Sequence, residues 1–282
     1  MVMILIRQPV AAGTFYSYDA EALKKQIYDS FSHRLGPKGG FKRQNFIASI
    51  VPHAGYIYSG PIAAWVYSRI ERANYVIFGP NHSGMGAQFA LMRNGLWKTP
   101  LGEVAIQDEF AEKILKECEI VEHDIIAHQH EHSIEVQLPF LQYRYGSDFK
   151  FIPIAILNEF ADEVLLENCK ILGKAIANVI KKEKEKWIIL ASSDFSHYVP
   201  QKVAKNVDLS LIKEIKKLDE KKFFEKILEK NANICGFGGI ASAIVAAKEL
   251  GAKKVELLKY ATSGDVTKEF DSVVGYASVI IY

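Results

Sequence analysis

Several common signals are scarce in this chain, and each scarcity excludes something. Only three cysteines, Cys118, Cys169 and Cys235, occur in 282 residues, and no Cys-x-x-Cys is present. That leaves no even disulfide framework, so a reducing cytoplasm is the expected compartment. Charge of one sign is also lacking: 35 basic side chains stand against 33 acidic ones, a formal net charge of +2. There is no electrostatic case for nucleic acid or an anionic membrane as partner. No apolar run is long enough to span a bilayer. The stretch Met1 to Ile6 is apolar but too short for a signal segment, and Arg7 closes it. His-Glu-x-x-His, Gly-x-Ser-x-Gly and Gly-Lys-Ser/Thr are all missing. A zinc-protease helix, a nucleophile elbow and a P-loop are thereby set aside.

What is present is ample apolar material, 49% of the chain, and a construction used three times. Phe46 to Val51 is an apolar run stopped by Pro52, and His53 follows at once. Tyr75 to Phe78 runs into Gly79-Pro80-Asn81-His82, and Trp187 to Ala191 into Ser192-Ser193-Asp194-Phe195-Ser196-His197. Short apolar runs bounded by Pro and Gly read as buried strands. Proline cannot donate to a ladder, so the first strand ends at Pro52. If the three strands are parallel neighbours, their histidines converge where open α/β sheets bind ligands, at the carboxyl ends of the strands.

Between these strands the pattern reads mostly as helix. Asp19 caps a helix reaching about Leu35, and Gly60-Pro61 opens another through about Arg72. Gln88 to Ile106 reads as a hairpin around Asn94-Gly95. Gln107 to Cys118 is amphipathic, and Asn158 to about Lys186 reads as a long helix. Pro200 to Leu218 and Asp219 to Asn231 are two more, followed by a small-residue helix after Cys235 and closing strands at Val255–Ala261 and Val273–Ile281. No repeat or low-complexity linker divides the chain. The expectation is one α/β domain over residues 1–282, with a mixed, mostly parallel sheet flanked by helices.

Histidines at strand ends together with a cysteine suggest a metal. Imidazole suits iron, copper, zinc and nickel, and thiolate favours softer ions. His53 and His82 are the leading ligand candidates; the plainer alternative is that each bonds a buried backbone group. Asp194 and His197, three apart, would share a face on the first turn of a helix. Asp194 could bind metal or orient a histidine, and His197 could serve as ligand or general acid/base. Alternatively Ser192-Ser193-Asp194 simply caps that helix. A lone cysteine such as Cys235 is more often a small buried hydrophobe than a ligand. His132 and Glu135 could face one pocket, whereas His128 and His130 read as a solvated turn.

The motifs Val51-Pro52-His53-Ala54-Gly55-Tyr56, Gly79-Pro80-Asn81-His82, Glu131-His132-Ser133-Ile134-Glu135, Ser192 to His197 and Ile234-Cys235-Gly236 occur together and in order. This set resembles the Memo (mediator of cell motility) family, nearly end to end. The resemblance implies a fold like the class III extradiol dioxygenases, which use non-haem Fe(II). It implies metal ligands at His53, His82 and Cys235, with Asp194 and His197 at positions lining that pocket, where they are expected to handle protons as catalytic residues. Tyr56, Asn81, His132 and Glu135 would line the pocket. It also implies iron or copper as cofactor and a copper-linked redox activity, with phosphotyrosine peptides described as ligands of eukaryotic relatives. One departure matters: the dioxygenases use two histidines and a carboxylate, whereas here the third ligand would be Cys235 unless Asp194 or Glu135 takes its place.

The leading expectation is therefore an iron or copper redox protein, a metal-dependent oxidoreductase. The alternatives are a zinc-dependent hydrolase and a non-catalytic module binding a peptide or anion in the same pocket. The ligand would be a small molecule or peptide, and a homo-oligomer is left open.

Overall fold

The computed structural model describes residues 5–282. Met1 to Ile4, part of the apolar N-terminal stretch, lie outside the described residues. The strands are β1 (Ile6–Arg7), β2 (Ala48–Val51), β3 (Asn74–Pro80), β4 (Phe89–Leu91), β5 (Leu96–Thr99), β6 (Gly102–Ile106), β7 (Glu122–His123), β8 (Lys150–Ile156), β9 (Trp187–Ser192), β10 (His197–Val199), β11 (Val255–Thr262) and β12 (Val273–Ile281). The helices are α1 (Ala20–Ser32), α2 (Tyr56–Arg69), α3 (Asp108–Glu117), α4 (Ile126–Gln129), α5 (Leu138–Tyr145), α6 (Glu163–Lys181), α7 (Gln201–Ile215), α8 (Glu220–Lys230), α9 (Phe237–Glu249) and α10 (Ser263–Thr267).

All twelve strands join one mixed sheet, whose main path runs β1-β5-β6-β8-β3-β9-β2-β12-β10. Its centre, β6-β8-β3-β9-β2, is parallel throughout. The interiors of β2, β3, β8 and β9 are buried and mostly apolar because helices cover the sheet, as parallel sheets require. Residues Tyr75 to Phe78 and Ile188 to Ala191 are fully buried. The small-residue helix α9 packs on β2, β3 and β9, and α6 packs on α9. The pair α1–α2 is held with α2 against β2, β11 and β12. The α/β architecture with a mixed, mostly parallel sheet matches the expectation, and β3, β9 and β2 are adjacent parallel strands. Among the described residues no helix is long and apolar enough to cross a membrane.

Several local expectations differ. Helix α2 begins at Tyr56, so Pro61 sits inside it, and the bond from residue 61 to the Ile57 carbonyl is forgone. The hairpin between β5 and β6 turns at Pro100-Leu101, where Thr99 pairs with Gly102, and β4 pairs with β7 and β8 instead. Helix α6 starts only at Glu163, where Asp162 accepts from the Leu165 amide at 2.8 Å. Ser192-Ser193-Asp194 caps no helix: His197 enters strand β10 opposite Val274, and α7 follows Pro200. His128, expected in a solvated turn, is fully buried, while His130 is exposed.

The irregular lead-in before α1 is fastened by one acid. Glu135 accepts from the Val10 and Ala11 amides at 2.9 Å each, from the Tyr16 hydroxyl at 2.5 Å, and from Arg7 Nη1 at 2.6 Å. Both partners of the ion pair are buried, with 5% and 0% of their side-chain surface exposed. Breaking a buried pair leaves an uncompensated charge, so Arg7→Ala should lower unfolding stability by about 3–5 kcal/mol. Denaturant unfolding measures this; a change below about 1 kcal/mol would show that the pair does not hold the segment.

Candidate metal centre

Three histidines meet beyond the carboxyl ends of the central strands. His53 follows Pro52 at the end of β2, and 2% of its surface is exposed. Its backbone amide donates to Asp194 Oδ1 at 2.9 Å, and its Nδ1 lies 2.9 Å from Ser192 Oγ. Ser192 already gives its own proton to the Ser133 carbonyl at 2.7 Å and accepts from Gln137 Nε2 at 2.8 Å. The His53 nitrogen facing it must therefore be the donor, which leaves the lone pair on Nε2.

His82 follows Pro80 and Asn81 at the end of β3. Its Nδ1 lies 3.0 Å from Glu131 Oε1, and its amide donates to Glu131 Oε2 at 2.5 Å. A carboxylate accepts, so His82 also keeps its lone pair on Nε2. His132 reaches the same Glu131 oxygen with Nδ1 at 3.4 Å. Its ring stacks on His82 with centroids 4.8 Å apart, and Phe15 covers it at 4.2 Å. His53 stands edge-on to both, at 5.4 and 5.5 Å. Each of the three offers a nitrogen within 4.8 Å of the other two.

Two glycines allow this convergence. A Cβ at Gly79 would lie 2.4 Å from Ser133 Oγ and 2.6 Å from Ile134 Cγ1, so only glycine lets the Glu131–Ile134 segment approach the end of β3. A Cβ at Gly236 would meet the Ser192 carbonyl at 2.5 Å and Ser193 Cβ at 2.6 Å. That close approach brings Cys235 to the site: its Sγ lies 3.4 Å from His53 Nε2 and 3.3 Å from the Asp194 amide.

The electrostatics favour neutral His53 and His132 around a buried anion. Burial, reinforced by His82, lowers His53 to about 3, and burial with the charge of His53 lowers His132 to about 4. Burial opposes charge on His82 too, but hydrogen bonding and charge from Glu131 outweigh it and raise its pKa. Glu131 resists the upward push of burial and is held at about 2 by His82 and His132. Burial raises Asp194, opposed by His197 and the His53 amide; burial and Asp194 together push the Cys235 thiol up.

The other anticipated site residues are distributed. Asp194 and His197 line the same cleft as the three rings, a cavity of about 550 Å³. His197 donates through Nδ1 to the Asn233 carbonyl at 3.0 Å. Asn81 shapes the following loop, donating to the Met85 carbonyl at 2.7 Å and accepting from Ser83. Tyr56 and Glu135 do not face the cleft. The Tyr56 hydroxyl is buried and donates to the Val136 carbonyl at 2.6 Å, while Glu135 is occupied by Arg7, Tyr16 and the lead-in. His132, anticipated only as a pocket residue, completes the trio of nitrogens, while Cys235, expected as the third ligand, stands beside it with Sγ 3.4 Å from His53 Nε2, and His197 is half-buried in the cleft lining. Glu131, Ser192 and Gln137 had no assigned role in the site. For Glu131 the sequence did hold a signal, an acid directly beside His132.

Neutral imidazoles with fixed tautomers and converging lone pairs suit a divalent transition ion, so the residues present could hold one. In the metal-free protein the pKa directions set the pH response. His53 and His132 lie below the usual 6.5, so their contribution favours the fold above pH 6.5 and is lost as pH falls toward about 4 and then about 3. His82 has the opposite sign: its contribution is complete below 6.5 and is lost as pH rises through its raised value. Imidazole NMR titration should show His82 charging first on acidification. Charging of His53 above pH 6 would contradict this order.

Comparison with known proteins identifies the family. The family model described as Memo-like protein matches residues 7–280. A MEMO1 family protein of Methanopyrus kandleri is 42% identical over 97% of this chain and 98% of its own length. Relatives of the same description in Pyrobaculum arsenaticum and Methanocaldococcus jannaschii are 43% and 40% identical, each over 98% of this chain and 99% of its own. Among solved structures, an uncharacterized protein of Escherichia coli K12 superposes with a TM-score of 0.54 at 12% identity, over 84% of this chain and 100% of that one. That likeness concerns the fold alone. With the family model spanning nearly the whole length and close relatives covered end to end, this chain belongs to the Memo-like protein family.

Proposed function

We propose that the chain is a mononuclear metal protein that holds iron or copper on His53, His82 and His132 and performs redox chemistry on a small molecule. The observation that carries this reading is the trio of nitrogens within 4.8 Å, each ring turned by a partner at its other nitrogen. Iron or copper, when bound, would supply electron transfer and coordination positions open to a second ligand. The resemblance to non-haem dioxygenases supports that class of chemistry.

The chain's own groups have separable tasks. Glu131 fixes two rings and offsets part of the ion's charge. Ser192 holds the third ring in its tautomer. Cys235 Sγ and Asp194 Oδ2 lie 3.4 and 3.9 Å from His53 Nε2, within reach to add a softer or harder donor. Asp194, whose burial favours the protonated form, and His197, whose Nε2 carries a lone pair, are placed to exchange a proton with a bound substrate. The cleft is lined by Phe15, Tyr58 and Tyr276 and, among the described residues, by no lysine or arginine. Phosphate readers use arginine clusters, so this lining argues against a phosphopeptide module.

Zinc hydrolysis is the second reading, because three neutral imidazoles are also a catalytic zinc set. Metal analysis of anaerobically isolated protein separates the two: iron or copper near one per chain supports the redox reading, and zinc alone overturns it. His53→Ala should abolish the metal while circular dichroism stays native; retained metal would contradict the ligand assignment. Glu131→Gln should weaken metal affinity about 10–100-fold, the usual effect of losing a ligand's outer partner. Competition with a chromogenic chelator reads this out, and an unchanged affinity would remove Glu131 from the site.

A further inference from the structure

A second cavity, of about 450 Å³, opens onto the same centre. It shares His82 with the first cleft but is otherwise distinct: Cys235 lines only the second, while His53, His132 and Asp194 line only the first. The two therefore meet at His82 and at the 3.4 Å contact between Cys235 Sγ and His53 Nε2. The floor of the second cavity is apolar, made by Phe237, Ile227 and Ile234, which are 7%, 5% and 4% exposed. Above it stand Phe160 and Leu228, 73% and 63% exposed, large apolar side chains left in solvent at the rim. Such exposure beside a polar cavity is typical of a binding surface.

Its charge is one-sided. Among the described residues no lysine or arginine lines the cavity, and Glu159 is the one acid. The remaining polar lining is mostly amide. Asn158 is fixed, with Nδ2 donating to the Cys235 carbonyl at 2.9 Å and Oδ1 accepting from Gly238 at 3.0 Å. Asn231 and Asn233 are exposed at the rim. Amides donate and accept without charge, so this wall of asparagines suits a neutral polar group better than an anion.

We propose that this cavity is a second binding subsite, which admits an uncharged molecule with a flat apolar body and an amide-like polar group to the Cys235 side of the centre. The body lies on Phe237 between Phe160 and Leu228, and the polar group meets the asparagine amides. Anions are turned away by Glu159, which no lysine or arginine among the described residues offsets in this lining. Two ligands can then approach the centre from separate clefts. Because the walls are tied to the site through the Asn158–Cys235 bond and the His197–Asn233 bond, occupancy of this cavity bears on the geometry of the centre.

The test uses chelator-treated protein, so it does not depend on which metal, if any, the first cleft holds. Cys118 and Cys169 are fully buried, which makes Cys235 the reporter. Neutral dithiodipyridine and the dicarboxylate dithiobis(nitrobenzoate) both label by disulfide exchange. The Cys235 thiol loses its proton, its sulfur bonds one aryl sulfur, and the other aryl half leaves as thiolate. With rates normalised to free cysteine, the neutral reagent should label at least about ten-fold faster, as one-signed clefts discriminate ligands by charge. Cys235→Ser should abolish labelling. Excess benzamide should slow labelling and excess benzoate should not. Leu228→Arg, which brings a cation to the rim, should shrink the preference for the neutral reagent. Equal normalised rates for the two reagents, or no protection by benzamide, would overturn the proposal.

Discussion

One buried carboxylate organises the centre. Glu131 has no exposed side-chain surface, yet it meets His82 Nδ1 at 3.0 Å and His132 Nδ1 at 3.4 Å with a single oxygen. It also accepts the amides of His82 and Ser133, the latter at 2.7 Å. A charge buried this deeply is tolerable only when donors surround it. The donors that stabilise Glu131 are the groups whose orientation the site requires. Anchoring the anion and aiming two imidazoles are thus one event, and a mobile pair of rings would leave the carboxylate unpaired in a dry interior.

The rest of the fold brings partners to that anion. Parallel pairing of β3, β9 and β2 sets the ends of three strands side by side, which places His82, Ser192 and His53 within a few residues of one edge. The loop carrying Glu131 and His132 closes over this edge because Gly79 has no side chain to obstruct Ser133. Glu135, four residues after Glu131, binds the chain's lead-in, which supplies Phe15 against His132. The Ser192 hydroxyl links Gln137, Ser133 and His53, so the third ring is tied to the same loop. Each contact joins segments far apart in sequence, and the centre exists only when the sheet is complete.

What could be read from sequence follows the range of the forces involved. The ends of the central strands were legible because Pro52 and Gly79-Pro80 are local punctuation, and the helix cap at Asp19 is equally local, with Ala22 donating at 2.8 Å. The candidate ligands His53 and His82 followed from those strand ends. His132 was harder to place, since it comes from a loop with no period, and its role depends on a contact permitted by Gly79. Burial of His128 and the capture of Glu135 by Arg7, 128 positions away, are likewise products of tertiary packing. The start of α2 was misplaced because Pro61 normally marks a first turn. Here the preceding turn of Tyr56 to Gly60 packs tightly enough to extend the helix backward, with Gly60 close against Ser30.

The central claim is that a metal, when bound, is held by imidazoles from His53, His82 and His132 through their Nε2 atoms. X-ray absorption spectroscopy of the metal-loaded protein tests it most directly. The account predicts nitrogen scattering at about 2.0–2.1 Å with the outer-shell pattern of three imidazole rings. A ligand shell with one imidazole or none, or one made chiefly of oxygen or sulfur, would contradict it.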